Sequence, residues 1–348
     1  MDAWIAGLVA QLHIVVLFLI IAGALALLVK GADLLVDQAV VLSVKWGVPK
    51  MLIGATIVSL GTTLPETVVS VLAAVQGAPG LALGNAVGSI IADTGLILGI
   101  AVLLGTIPVH QRMVSRQSWV QFASAVTLVL VCVPWLGMRG IFSGGGRLPR
   151  LVGVLFLVLL GLYIWRSIRW SREVPVDASG MTPDNINVRT RPVIALLQLI
   201  LGIACVVVAS QVLIPTVEET AVRIGIPDAI IAATLVAFGT SLPELVTAVT
   251  AVRKNHGELA LGNVLGADVL NVLFVSGASA AVTRGGLQVP PEFFFLFFPS
   301  MLFVVTVLRI GIGKTSHSLS KAFGVVLLSA YLVTVILGYL VPSAPLSH

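Results

Sequence analysis

Two glutamates stand at the ends of matching segments, Glu66 closing GTTLPE from Gly61 and Glu244 closing GTSLPE from Gly239, each inside an otherwise apolar run. Pro65 and Pro243 lack an N–H and clash with the carbonyl four residues earlier, which frees the carbonyls around Gly61, Thr62, Gly239 and Thr240. Glu66 follows Thr62 by four residues and Thr63 by three, so hydroxyls, freed carbonyls and a carboxylate share one helical face. Glu244, Thr240 and Ser241 repeat the pattern. A lone ionised carboxylate at the centre of a membrane helix costs on the order of 3 kcal/mol, so two of them at matched positions point to function. The chemistry is that of hard oxygen ligands, which replace the hydration shell of Na+ or Ca2+. A simple kink explains an isolated membrane proline but not the glutamate beside it.

A second polar set follows each motif. Asn85, Ser89 and Asp93 share a face in the first, and the same positions in the second hold Asn263, Ala267 and Asn271. Asp93 therefore has no charged mate. Asn85 and Asn263 fit either interhelical hydrogen bonding or ion coordination, while Gly84, Gly88, Gly262 and Gly266 read as a close-packing surface. The mate of Asp268 is Ile90, and its role is open.

The elements that carry these residues are membrane helices. Hydrophobic residues make up 58% of the 348 positions and charged ones 10%, against about 25% charged in a soluble domain. The apolar runs are continuous and lack the alternation of a membrane barrel. At about 20 residues per span, about ten begin near residues 10, 50, 81, 117, 149, 192, 228, 259, 290 and 319. No basic region precedes Lys30, so the first span is expected to stay rather than be cleaved as a signal. The net charge of +5 sits in short connections as a topology signal, not as a nucleic-acid patch. Fourteen Lys and Arg fall in loops on one side and five on the other. That bias predicts both termini outside and the central linker in the cytoplasm of a multi-pass cell (inner) membrane protein. Cys132 and Cys205 read as packing residues. The five histidines lie at helix ends, loops or the tail, and no nucleophile and base share a depth, so no enzyme is expected.

The halves align without a gap. Gly47 matches Gly225, Gly61 matches Gly239 and Gly84 matches Gly262, always 178 residues apart. Roughly two in five positions agree over about 50 residues, which marks a duplication. Five helices per half is odd, so the second copy enters the membrane inverted and the motifs face each other about a pseudo-two-fold axis. The fold class is thus an all-α polytopic membrane protein of two inverted five-helix repeats. The expected boundaries are 1–167 for the first (motif 54–99), 168–191 for the linker and 192–348 for the second (motif 232–277).

The paired stretches GTTLPE with GNAVGSIIAD, and GTSLPE with GNVLGADVLN, resemble the two alpha repeats of the sodium/calcium exchanger family of the cation/calcium exchanger superfamily, in its prokaryotic form. The resemblance covers nearly the whole chain. It implies Ca2+ exchanged for Na+ at a cluster of sites between the second, third, seventh and eighth helices of a monomer in the lipid bilayer, with no cofactor. Glu66 and Glu244 would be central bidentate ligands, Thr62 and Thr240 would give carbonyl and hydroxyl oxygens, and Thr63 and Ser241 hydroxyls. Ser59 and Ala237 would give backbone carbonyls, with Ser89, Asp93 and Asn271 contributing from the following helices. The chain departs from the best-known pattern in exchanging Asp and Asn between positions 93 and 271, and in Ala267 where serine is usual. Proton-coupled or potassium-dependent exchange, and a cation channel from another class, are the alternatives.

Overall fold

The computed structural model describes residues 7–135, 141–171, 191–224, 241–315 and 317–340. Thr240, Ala237 and the rest of 225–240 lie outside these, as do the termini and 172–190.

Every described span is helical. They are α1 (Ile14–Trp46), α2 (Lys50–Thr62), α3 (Leu64–Val75), α4 (Pro79–Leu104), α5 (Gln111–Cys132), α6 (Arg150–Ser171), α7 (Pro192–Arg223), α8 (Leu242–Arg253), α9 (Gly257–Val282), α10 (Phe293–Lys314) and α11 (Lys321–Leu340). Seven are long and apolar enough to cross a membrane, and the bent pair α2 and α3 makes an eighth. The other two expected spans are α5, which has the length but buries Gln117, Gln121 and Ser118, and the seventh, described only as α8. α1 stops at Gly47, whose left-handed backbone (φ 62°) turns its N–H onto the carbonyls of Ser43 and Val44, the glycine C-cap geometry.

Position in the bundle follows from which helices are apolar all round. α9 is 94% buried over its central window and α4 72%, whereas α1, α6 and α11 are 22% buried. Leu19, Leu151 and Val193 point outward with most of their surface exposed, as lipid-facing residues do and as a water-soluble surface does not. The two long helices α1 and α7 pack chiefly on each other. They cross at glycines: a Cβ on Gly31 would lie 3.2 Å from the Gly202 carbonyl, and one on Gly202 2.7 Å from the Leu35 nitrogen. This pair leans on the remaining helices mainly through α8 and α2.

The structure departs from an all-helical expectation at two loop junctions. Residues Gly146–Leu148 pair antiparallel with Leu287–Val289, and Pro108 bridges Ser318. The first joins the segments before α6 and α10, the second those before α11 and α5. The helices that follow the two junctions correspond between the halves, α5 with α10 and α6 with α11, so each junction joins one half to the other. α6 also runs to Ser171, past the boundary expected at 167. Arg169 lies 4.1 Å from the Trp165 ring centroid, and Arg116 and Arg166 flank Trp170, an aromatic and basic belt typical of a membrane interface.

Candidate cation site

Each side chain of the site owes its place to a helix break. α2 and α3 meet at 44°, with Thr63 between them and Pro65 in the first turn of α3, where its missing N–H is harmless. The expected kink is present. Ser59 O, however, accepts the Thr63 N–H at 2.9 Å and the Thr62 hydroxyl at 3.3 Å, so in this conformation that carbonyl is engaged within its own helix. The sequence reading missed a second device. π-helical turns occupy Gly54–Val58 in α2, Ala92–Ile97 in α4 and Asn271–Ser276 in α9. Asp93 lies in one and Asn271 heads another. A π turn widens the helix and loosens its carbonyl ladder, and such turns gather at functional sites. The Ser276 hydroxyl returns to Asn271 O at 3.0 Å, five residues back. Their sequence signal is faint, because a polar residue in an apolar run says nothing about helix pitch.

The two halves converge through these breaks. Glu66, Glu244, Thr62, Thr63, Ser59, Ser241, Ser89, Asp93 and Asn271 are all buried. The Thr63 hydroxyl donates to Glu244 Oε1 at 3.4 Å across the two halves. Ser241 reaches Asp93 in the opposite sense. Glu66 lies near enough to feel the charge of both Glu244 and Asp93. Both Glu66 carboxylate oxygens, Glu244 Oε2, Asp93 Oδ1 and Asn271 Oδ1 are buried and accept no hydrogen bond. Buried acceptors without donors are costly, and oxygens of this kind are the ligands that hard cations take. Among the described residues, no three acidic, His or Cys side chains converge closely enough to hold a metal alone.

The two asparagines are not equivalent. Asn85 Nδ2 donates to Glu66 O at 3.2 Å and Ser70 Oγ at 2.9 Å, bracing the helix that presents Glu66. The mate of Ser70 is Ala248, and the buried Asn263 has neither amide atom partnered. Gly262 and Gly266 take the packing role expected of them: a Cβ on Gly262 would lie 2.0 Å from Met51 O, and one on Gly266 2.6 Å from Ala55 Cα. The corresponding neighbours of Gly84 and Gly88, positions 229 and 233, lie outside the described residues.

Several charges outside the cluster are paired. Asp33 and Asp37 bind Lys254 at 3.0 and 2.8 Å, not Lys30 as their spacing on α1 suggests. Burial pulls the Lys254 ammonium down, but hydrogen bonds and charge from Asp37 and Asp33 outweigh it and hold its pKa above the usual value. Lys50 and Glu258 form a buried pair at 3.1 Å with His110 alongside. Glu219 pairs with Arg223 at 2.6 Å rather than standing free in solvent.

The sequence matches the family described as sodium/calcium exchanger protein over residues 16–169 and 194–340, one match per half. The chain belongs to the sodium/calcium exchanger family. Among curated members, the inner membrane protein YrbG of Escherichia coli (strain K12) is 32% identical over 322 residues, 90% of this chain and 94% of that protein. The sodium/calcium exchanger MaX1 of Methanosarcina acetivorans is 30% identical over 342 residues, 91% of this chain and 97% of that one. The sodium-calcium exchanger NCX_Mj, solved after soaking with Na+ and Sr2+, superposes with a TM-score of 0.77 at 24% identity, covering 93% of this chain and 99% of that one. That likeness establishes the family's fold of two inverted halves here. The family membership makes the chain a membrane transporter and not an enzyme.

Proposed function

We propose that this family member exchanges Ca2+ for Na+ by alternating access at the Glu66 and Glu244 pair, in a cell (inner) membrane with both termini outside and the central linker cytoplasmic. The observation that carries the reading is the buried crossing of the halves: Thr63 of one donates to Glu244 of the other while the remaining carboxylate oxygens of both glutamates accept nothing. Glu66, Glu244 and Asp93 supply the charge, and Thr62, Thr63, Ser241, Ser89 and Asn271 supply neutral oxygens. Thr240 and the Ala237 and Ser59 carbonyls complete the proposed set. Ca2+ and Na+ compete for the same carboxylates. Left without a cation, those carboxylates repel one another in a medium of low dielectric, so resetting without a cargo ion is costly and exchange is favoured over leak. The moving part is the α1 and α7 pair, which packs mainly on itself and slides past the remaining helices.

The test uses proteoliposomes loaded with Na+ and diluted into Na+-free medium containing 45Ca2+. Uptake that requires the outward Na+ gradient and vanishes in Glu66→Gln and Glu244→Gln is the expected result. Uptake driven only by a proton or K+ gradient transfers the assignment to proton-coupled or potassium-dependent exchange. Flux without a counter-ion makes the protein a channel.

A further inference from the structure

Asp268 carries a fourth buried carboxylate that the exchange reading does not use. It is 1% exposed in the middle of α9, and no ion pair among the described residues reaches it. Its Oδ2 accepts two donors: the Thr94 hydroxyl at 2.5 Å and the Gln121 amide. Gln121 Nε2 also donates to Thr94 Oγ1 at 3.2 Å, so three helices, α4, α5 and α9, clamp one oxygen. The other oxygen is left bare. Asp268 Oδ1, Gln121 Oε1 and, one turn earlier on the same helix, Ser118 Oγ are all buried without a partner. The Gln121 amide that donates to Oδ2 thus also carries a bare acceptor.

The arrangement occurs once. The mates of Asp268, Thr94 and Gln121 under the duplication are Ile90, Val272 and Pro299, none of which repeats the cluster. It is therefore not a copy of the duplicated central pair. A proton on Asp268 Oδ1 would turn that oxygen into a donor for a single acceptor and abolish the charge that the two donors on Oδ2 stabilise. A cation satisfies both acceptors and the charge together.

We propose that Asp268 Oδ1 and Gln121 Oε1, with Ser118 Oγ one turn earlier on α5, form a second, monovalent site for an alkali cation between α5 and α9, built from different ligands than the Glu66 and Glu244 pair. Thr94 positions the carboxylate by holding Oδ2. One carboxylate with neutral oxygens suits a single positive charge, whereas a divalent ion generally collects more carboxylates.

The test is equilibrium binding of 22Na+ and of 86Rb+, as a K+ stand-in, to the full chain purified in detergent at pH 8 without Ca2+. Wild type is compared with Asp268→Asn. The expected result is one alkali ion fewer at saturation in the variant, with either probe. An equal count with both probes overturns the site, and so does an equal count accompanied by one fewer titrating proton, which makes Asp268 a carboxylic acid. Should Asp268→Asn fail to yield monodisperse protein, Gln121→Met retains the carboxylate and removes the amide oxygen. It is expected to weaken one class of alkali binding about tenfold, and an unchanged isotherm refutes the proposal. 45Ca2+ binding to wild type and to Glu66→Gln, measured in parallel, reports on the central pair, so failure there is told apart from failure at Asp268.

Discussion

Thr63 Oγ1 donates to Glu244 Oε1 at 3.4 Å, a hydroxyl of the first half bound to a carboxylate of the second. Ser241 of the second half reaches Asp93 of the first in return. Neither half completes the cluster by itself. Thr63→Val is expected to lower the apparent Ca2+ affinity about tenfold, the worth of one hydrogen bond to a charged group. Ser241→Ala is expected to act similarly. The concentration dependence of 45Ca2+ uptake checks both, and an unchanged half-saturation for either removes that hydroxyl from the ligand set.

Lys254 ties α8 to α1 through Asp33 and Asp37. All three side chains are substantially exposed, so the bond is worth about 0.2–1 kcal/mol and is screened by salt. Lys254→Gln should leave the melting temperature nearly unchanged. Because the tie joins the proposed moving helices to the core in this conformation, the same variant should raise the initial rate of exchange, as should high ionic strength in wild type. Equal rates would mean that the tie persists in both conformations.

The pair Lys50 and Glu258 is a different case, since both side chains are more than nine-tenths buried. Removing one partner strands a charge, and Lys50→Met is expected to cost about 3–5 kcal/mol. The double variant Lys50→Met with Glu258→Leu should recover most of that loss. Thermal unfolding in detergent measures the difference, and a double variant no more stable than the single one contradicts the argument.

His256 caps the start of α9, and Lys50 Nζ lies 3.5 Å from its Nδ1. Burial, reinforced by the Lys50 ammonium, pushes the imidazole down to about 4. An unfolded histidine titrates near 6.5, so below that pH the unfolded chain binds a proton that the folded chain refuses. The His256 contribution to stability is therefore intact above about 6.5 and is lost as the pH falls towards 4. Wild type should lose more stability than His256→Gln over that window, and parallel melting curves would exclude the effect.

Gly262 admits no side chain, because a Cβ there would sit 2.0 Å from the Met51 carbonyl. The obstacle is backbone and cannot rotate away. Gly262→Ala is expected to cost about 1–3 kcal/mol, as overpacking does, and to separate α9 from α2. Loss of monodisperse protein, or of 45Ca2+ exchange in what remains, is the expected readout.

Much of this was legible in the residue order because it rests on local chemistry. A run of apolar residues has to be a helix in lipid, where the backbone must satisfy itself. A proline four residues after Gly61 has to break that helix, and a constant separation of 178 residues between matching motifs has to be a duplication. An odd number of helices per copy then inverts the second. Those steps lead from residue order to Glu66 and Glu244, and to Asp93 without a charged mate. What only the tertiary structure decided concerns partners far apart in the chain. Lys254 chooses Asp33 and Asp37 over their neighbour Lys30, Asn85 finds Ser70 while Asn263 is left without a partner, and Asp268 meets Thr94 and Gln121 from two other helices. Spacing along a helix reveals which residues share a face. Which face of which other helix it meets, and whether a π turn has rotated it on the way, depends on packing summed over the whole bundle.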